Sequence, residues 1–200
     1  MDLKFNKNKI KDKKLILIEL NEINFDLVKK YLKKFNGKFK NFKIISDQIL
    51  ITQSESKYNL LEPWIQWYSI YSGLSAEQHK VFRLGDGVNS NIELIYEKLE
   101  KLGYTIGAIS PMNAKNNCLY AKYFIPDPWT ITKSDGSFLS KLISSFLNQT
   151  VNNNANEKLT FKNYLTIIYL LIRFAQFKNY VKYLKLFLTS FGNKWRKAIF

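Results

Sequence analysis

The stretch Leu15-Ile16-Leu17-Ile18-Glu19-Leu20-Asn21-Glu22 decides the fold, because an aliphatic run ends abruptly in polar residues. A short continuous aliphatic run with polar boundaries is typical of a strand that is buried on both faces in a parallel sheet. A helix is predicted to follow from about Asn24 to Phe35, since apolar residues recur on one face and Gly37 comes after its end. The stretch therefore predicts a strand–loop–helix unit at the start of an α/β fold.

Later segments repeat this alternation of helices and strands. Residues 44–51 are predicted to form a helix end and a strand, and Pro63 suits the first turn of a helix that Gly73 ends. The sequence Ser90-Asn91-Ile92-Glu93 is a capping box that predicts a helix over 91–102, followed by a buried strand over 105–110. The predicted fold class is α/β, a mainly parallel sheet flanked by helices and followed by a C-terminal helical segment.

An asparagine-rich stretch over 147–157 indicates a loop between two parts of the chain. We therefore predict an α/β domain at 1–150 and a basic helical segment at 151–200, which is either an insertion or the start of a further half. The helical segment carries an apolar stripe at helical spacing. Its members are Tyr164, Ile167, Ile168, Leu171, Phe174, Tyr180, Leu184, Phe187 and Leu188.

The net charge of +15 is concentrated near the C-terminus. Residues 1–157 carry 22 basic and all 16 acidic residues (22 − 16 = +6), whereas the last 43 residues carry 9 basic residues and no acid (+9). Such a tail indicates nucleic acid, an anionic membrane surface or an acidic partner, and the alternative is a lysine- and asparagine-rich compositional bias.

The sequence also predicts a cytoplasmic location. No apolar run reaches the roughly 20 residues of a membrane span, and the N-terminus lacks the apolar core of a signal peptide. Cys118 is the one cysteine, which fits a reducing compartment.

Oxygen-bearing side chains follow both predicted strands. Glu19, Asn21 and Glu22 come directly after the first strand, and Asn113 lies just past the second. Ligands gather beyond the carboxyl ends of parallel strands, and carboxylate and amide oxygens suit Zn, Mg, Mn and Ca. The alternative is that Glu22 charges the N-terminus of the next helix and Glu19 is merely exposed.

Three stretches, residues 15–26, 68–79 and 92–109, resemble in order and spacing the alkaline-phosphatase superfamily, particularly its phosphodiesterase and sulfatase branches. The resemblance covers roughly residues 14–110 and extends to Asp127-Pro128-Trp129. It implies a metal-dependent hydrolase of phosphate or sulfate esters with divalent Zn, Mg or Mn. Glu19 occupies the position of the acidic metal ligand, usually Asp, and Glu62, Gln66 and Asn113 are the predicted substrate-binding residues.

The departures from the family pattern concern the residues that carry the chemistry. The position of the family's Ser or Thr nucleophile falls on Pro63, which cannot attack an ester, so the catalytic residue is unassigned. Lys80 replaces the Gly that commonly follows the motif's His, and His79 is the one histidine of the chain, whereas the later metal ligands of the family include several. His79 is predicted to be a structural or surface residue rather than a ligand. The chain is therefore predicted to be a fragment or a degenerate relative that is inactive alone.

Two classes of function remain from the sequence. The first is an incomplete hydrolase-like domain, and the second is a non-catalytic basic module that binds anionic lipid or nucleic acid through 158–200. The predicted cover for the apolar stripe is a missing C-terminal half or, second, an anionic membrane surface. Nucleic acid is the less favoured partner.

Overall fold

Helices outnumber strands in the computed structural model, which describes residues 14–21, 23–35, 37, 39–50, 55–152 and 160–190. The chain divides into two compact units, Met1–Lys133 and Ser134–Phe200. The helices of the first unit are α1 (Phe25–Lys34), α2 (Lys40–Gln48), α3 (Pro63–Ser72), α4 (Ala76–His79), α5 (Asp86–Asn89) and α6 (Ile95–Lys101). Those of the second are α7 (Phe138–Asn152), α8 (Phe161–Phe174) and α9 (Tyr180–Ser190).

The α/β class is confirmed in a coarse form. Strands β1 (Gly107–Ile109) and β2 (Tyr123–Ile125) pair in parallel, and residues 110–122 connect them. In the described part of the chain the sheet has these two strands and is not the dominant layer. The first strand lies within the predicted range 105–110, whereas the second was not predicted.

The buried strand predicted at Leu15–Ile18 is not present. These residues belong to no helix or strand, and their side chains are between 51% and 80% exposed. An aliphatic run indicates that a segment can be buried, but it does not specify which other part of the protein would cover it. Here no described element covers both faces of the run, so its strand geometry is not locked by pairing.

Helix α3 forms the centre of the first unit. Pro63 occupies its first turn, and Gly73 ends it with φ +73°, a conformation that glycine adopts without strain. The buried side chains Tyr68 and Tyr71 belong to the main apolar cluster, which also contains Val81, Leu94 and Ala114. The sequence-based prediction of this helix is confirmed, and so is that of α1, whose N-cap Asn24 accepts a hydrogen bond from the amide of Leu27 at 2.9 Å.

Helix α6 begins later than its predicted start at residue 91. The carboxylate of Glu97 accepts the backbone N–H of Leu94 at 2.8 Å, which is the role that the sequence assigned to Glu93. Ser90 instead accepts the N–H of Ile92 at 3.2 Å in a local turn. Local turns of this kind compete with helix initiation, because they satisfy the same amide groups.

The region 44–51 also differs from its prediction. Helix α2 runs through Gln48, and the next two residues, Ile49 and Leu50, form no strand. Residue 51 lies outside the described residues.

The helices predicted for the basic C-terminal segment are confirmed as α8 and α9. The loop predicted from Leu147 is wrong in its first part, because α7 continues to Asn152, and the rest of that stretch, 153–159, lies outside the described residues. Helix α7 packs against α8, with the rings of Phe138 and Tyr169 edge to face at 6.2 Å. The unit boundary at Lys133 thus precedes α7, whereas the predicted domain boundary at 150 falls inside that helix. No helix in the described ranges combines the length and apolarity needed to cross a bilayer.

Candidate functional site

The Glu19 carboxylate is held by two tyrosine hydroxyls. The hydroxyl of Tyr71, on α3, donates to Oε2 at 2.6 Å, and that of Tyr96, on α6, donates to Oε1 at 3.5 Å. The first distance is that of a strong charge-assisted bond, whereas the second is at the limit for a hydrogen bond. Tyr71 is therefore the group that fixes the position of Glu19.

Tyr71 also connects Glu19 to the end of a strand. Its hydroxyl oxygen accepts the backbone N–H of Met112 at 3.3 Å, and Met112 lies in the segment that follows β1. The Glu19 carboxylate is thus attached, through one side chain, to the carboxyl end of a parallel strand. Ligands of open parallel sheets bind at this edge.

Both tyrosines are protonated at physiological pH, and burial raises their pKa values further. The pKa of Tyr71 is raised well above its ordinary value, first by burial of its hydroxyl and then by the neighbouring Tyr96 and Glu19. The pKa of Tyr96 is also raised, first by burial and then by the charge of Glu19. The rings lie 5.4 Å apart and pack together. Both hydroxyls therefore remain hydrogen-bond donors throughout the physiological pH range.

The carboxylate retains capacity for a cation. An ionised carboxylate has about four lone-pair positions, and the tyrosines use two of them. Hydrogen bonds from outer residues orient a ligating carboxylate in metal sites, and Tyr71 would serve this purpose here. However, no group of three or more His, Cys, Asp or Glu residues surrounds a common point in the described part of the chain. Among the described residues, Glu19 could therefore offer a cation one carboxylate but not a complete set of ligands.

A groove of about 1090 Å³ lies beside Glu19, with walls formed by residues 14–19, α6 and β1. Strand β1 presents an unpaired edge among the described residues. The backbone groups of Ile106 and Ser110 bond towards β2, and alternate residues of a strand direct their backbone groups to opposite sides. The N–H and C=O groups of Gly107 and Ile109 therefore face away from β2.

Asn113, predicted to bind substrate, is fully buried and uses its side chain inside the protein. Its Oδ1 accepts the N–H groups of Gly85 and Gly87 at 2.8 and 3.3 Å. Its Nδ2 donates to the carbonyl of Arg83 at 3.1 Å and to that of Trp64 at 3.4 Å. The amide thus joins the segment after β1 to the loop before α5 and leaves no hydrogen-bonding group for a ligand.

The other two predicted substrate-binding residues lie at the N-terminal turn of α3. Glu62 is the exposed N-cap residue, and the amide of Gln66 donates to the carbonyl of Leu60 at 2.7 Å. Asn113 contacts the same turn through Trp64. Tyr71 lies five residues beyond Gln66, which is about 7.5 Å along a helix. The structure therefore places Glu62, Gln66 and Asn113 at one end of α3 and Glu19 near the other.

Asp127 is a buried carboxylate that the sequence did not single out. Its Oδ1 accepts the N–H groups of Trp129 and Thr130, both at 2.9 Å. Its Oδ2 accepts the N–H of Asn113 at 2.9 Å and the hydroxyl of Thr130 at 2.7 Å. Four hydrogen bonds occupy this side chain, which ties the segment after β1 to the turn after β2. An Asp side chain that accepts the N–H groups of the residues two and three positions later is typical of a turn, so the local sequence contained a signal for this role.

His79 and Ser69 are in contact but do not form a nucleophile–base pair. The Nδ1 atom of His79 accepts the N–H of Val81 at 2.9 Å, so in the neutral ring the proton resides on Nε2. Nε2 lies 2.9 Å from Ser69 Oγ and therefore donates to it. A ring that donates to the serine cannot remove its proton. Burial also lowers the pKa of His79, which keeps the ring neutral.

No family model matches this chain, and no curated protein or solved structure is detectably similar to it. The resemblance stated above on residues 15–26, 68–79 and 92–109 stays a prediction.

Proposed function

We propose that the first unit is a hydrolase-like domain for phosphate or sulfate esters, in which Glu19 is one ligand of a divalent metal (Zn, Mg or Mn). The observation that carries this proposal is the link from the Glu19 carboxylate through Tyr71 to Met112. It brings an anionic oxygen pair to the carboxyl end of β1, where an α/β protein would bind a metal or an anionic substrate. We include a larger parallel sheet and a cytoplasmic location in the same proposal.

The proposed site requires further ligands that the described residues do not provide. Ester hydrolysis by a metal pair needs both cations within about 4 Å of each other to polarise the ester and activate a nucleophile. One carboxylate cannot hold such a pair, and the position expected for the nucleophile is Pro63. The remaining ligands would come from residues outside the described ranges or from another chain. The unit by itself is therefore proposed to be catalytically inactive.

Turnover measurements test this assignment. The purified chain is incubated with aryl phosphodiesters, phosphomonoesters and sulfates in the presence of Zn²⁺, Mg²⁺ or Mn²⁺, beside a Glu19→Ala variant and an Asp26→Asn control. Asp26 is an exposed carboxylate on α1. We expect no metal-dependent turnover by any of the three proteins. Turnover that disappears in Glu19→Ala but persists in Asp26→Asn would support Glu19 as a ligand but would contradict the proposed inactivity of the unit.

A second candidate function is a non-catalytic basic module, which the surface of α8 favours. This helix turns apolar side chains outward in the more basic of the two units. The two candidates use different parts of the chain and do not exclude each other.

A further inference from the structure

Helix α8 exposes a row of apolar side chains. Its outward residues Phe161, Leu165, Ile168 and Ile172 are separated by four, three and four positions, a spacing that places them on one face of the helix. They are 77%, 51%, 52% and 70% exposed, respectively.

The two most deeply buried residues of the same helix are polar. Asn163 and Thr166 are only 2% and 4% exposed, and the hydroxyl of Thr166 donates to the carbonyl of Lys162 at 3.0 Å. A helix in water normally buries its apolar face and exposes its polar one. The exposed face of α8 is therefore an apolar surface that another body is suited to cover.

Further exposed apolar side chains follow α8 in the chain. Phe177, in the turn that follows, is 90% exposed, and Val181 and Leu184, three residues apart on α9, are 78% and 59% exposed. We call these residues, together with the four on α8, the apolar face. Large exposed apolar surfaces mark sites of association with proteins or membranes.

Basic side chains accompany the apolar face. Residues 134–200 contain ten Lys or Arg and two acidic residues, a net charge of +8 (10 − 2). Lys162, Arg173, Lys178 and Lys182 lie on or between α8 and α9, whereas Asp135, the acidic residue among the described residues of this unit, precedes α7. The partner that complements this surface is therefore both anionic and apolar.

We propose that the apolar face and its basic residues bind the surface of an anionic lipid bilayer. Anionic headgroups complement the lysines, and the acyl region just below them covers aliphatic and aromatic side chains. Nucleic acid supplies the charge but has no apolar region for Leu165, Ile168 or Ile172, whose aliphatic side chains cannot stack on bases. A helix that lies in the interface does not need to cross the bilayer. The proposal does not depend on the Glu19 site.

Co-sedimentation with vesicles tests the proposal on the full chain. We expect binding to phosphatidylcholine vesicles that contain phosphatidylserine and much weaker binding to pure phosphatidylcholine. Raising the salt concentration from about 0.15 M to about 1 M shortens the Debye length from about 8 Å to about 3 Å and should weaken the binding. Equal binding to both kinds of vesicle, or none to either, would overturn the proposal.

Paired substitutions locate the binding surface. Ile168→Gln with Ile172→Gln should weaken vesicle binding on the order of a hundredfold, since each inserted side chain contributes about tenfold. The matched control is Ile44→Gln with Ile45→Gln, which replaces two exposed isoleucines on α2.

The lysines are tested in the same way. Lys178→Gln with Lys182→Gln should weaken binding about thirtyfold, or about fivefold for each lysine. Lys29→Gln with Lys30→Gln on α1 is the control. Equal effects of a test pair and its control would overturn the proposal.

A fluorescent label on the proposed surface tests the proposal even if a glutamine variant fails to fold. An environment-sensitive fluorophore is attached to Ile168→Cys in a Cys118→Ala background, with Ile44→Cys as the control. Anionic vesicles should shift the emission of the label at 168 to the blue and leave that at 44 unchanged. A blue shift at 168 without vesicles, together with dimers in sedimentation velocity, would mean that a second copy covers the face and would contradict the membrane proposal.

Discussion

Replacement of Tyr71 by phenylalanine tests how Glu19 is positioned. The substitution keeps the aromatic ring in the cluster around α3 but removes the hydroxyl. That hydroxyl donates to Glu19 at 2.6 Å and accepts the N–H of Met112 at 3.3 Å. Tyr71→Phe therefore removes the link between the carboxylate and the end of β1 and leaves the apolar packing in place.

The expected loss of stability follows from the two bonds. A hydrogen bond to a charged group contributes about 1.5–3 kcal/mol, and an amide left without a partner costs about 1–3 kcal/mol when it is buried. Glu19 and Met112 are only partly buried, so water compensates for some of each loss. We expect Tyr71→Phe to reduce the free energy of unfolding by about 2–3 kcal/mol. Tyr96→Phe, which loses a contact of 3.5 Å, should cost less than about 1 kcal/mol.

The free energy of unfolding of both variants is measured by urea unfolding, with tryptophan fluorescence as the signal. The variants can be compared if their m-values are unchanged. A double-mutant cycle with Glu19→Gln isolates the pair, and we expect a coupling of about 1–2 kcal/mol with Tyr71→Phe. The reasoning fails if Tyr71→Phe is no more destabilising than Tyr96→Phe, or if the coupling with Glu19→Gln is absent.

Three further predictions concern residues away from Glu19. Gly87→Ala should destabilise the protein by about 3 kcal/mol or more in urea unfolding, because a Cβ atom would lie 2.0 Å from the carbonyl oxygen of Asn113; a loss below about 1 kcal/mol would refute the close approach. The lowered pKa of His79 means that the unfolded state binds its proton first, so stability should fall as the pH drops below about 6.5, with a slope of up to about 1.4 kcal/mol per pH unit. Urea unfolding between pH 7.5 and 5.5 (about one unit either side of the free pKa) should show this loss of stability, and His79→Gln should not; equal slopes would argue against a neutral buried ring. Burial, followed by the charges of Glu100 and Glu97, raises the pKa of Cys118 to about 12, so its alkylation by iodoacetamide near pH 8 should be about a hundredfold or more slower than that of a free thiol; alkylation at the free rate would contradict this.

The local signals in the sequence predicted the helices better than the sheet. Pro63 and Gly73 bound α3, and Asn24 caps α1, because these signals act through backbone groups within a few residues. The run Leu15–Ile18 was predicted to be a buried strand and is exposed instead. Burial of a strand depends on neighbours that are distant in the chain, and a single sequence does not specify them.

The site could be predicted only in part, because its contacts also join residues that are distant in the chain. Glu19 could be singled out because it directly follows an aliphatic run, but the side chains that hold it are 52 and 77 positions away. Tyr71 and Tyr96 carry no motif that distinguishes them from core aromatics. Asn113 was predicted to face a cleft, whereas its positive φ of 56° and its four hydrogen bonds make it part of the scaffold.

The C-terminal helices show a further limit of periodicity. The stripe predicted in this segment included Ile168 and Leu171 on one face, and the structure exposes the first and partly buries the second. The spacing of apolar residues indicates that a helix forms but does not say which of two overlapping faces is turned inward. In α8 the side that is turned inward carries Asn163 and Thr166.

Paramagnetic line broadening by Mn²⁺ tests the proposed metal ligand most directly, because it detects weak binding at a single carboxylate. Backbone amide signals are followed in the wild type, in Glu19→Gln and in the Asp26→Asn control as Mn²⁺ is added. Broadening should be strongest at Glu19 and at residues 110–112, persist in Asp26→Asn and disappear in Glu19→Gln. Broadening that is spread over the exposed carboxylates and unchanged in Glu19→Gln would contradict the assignment of Glu19 as a metal ligand.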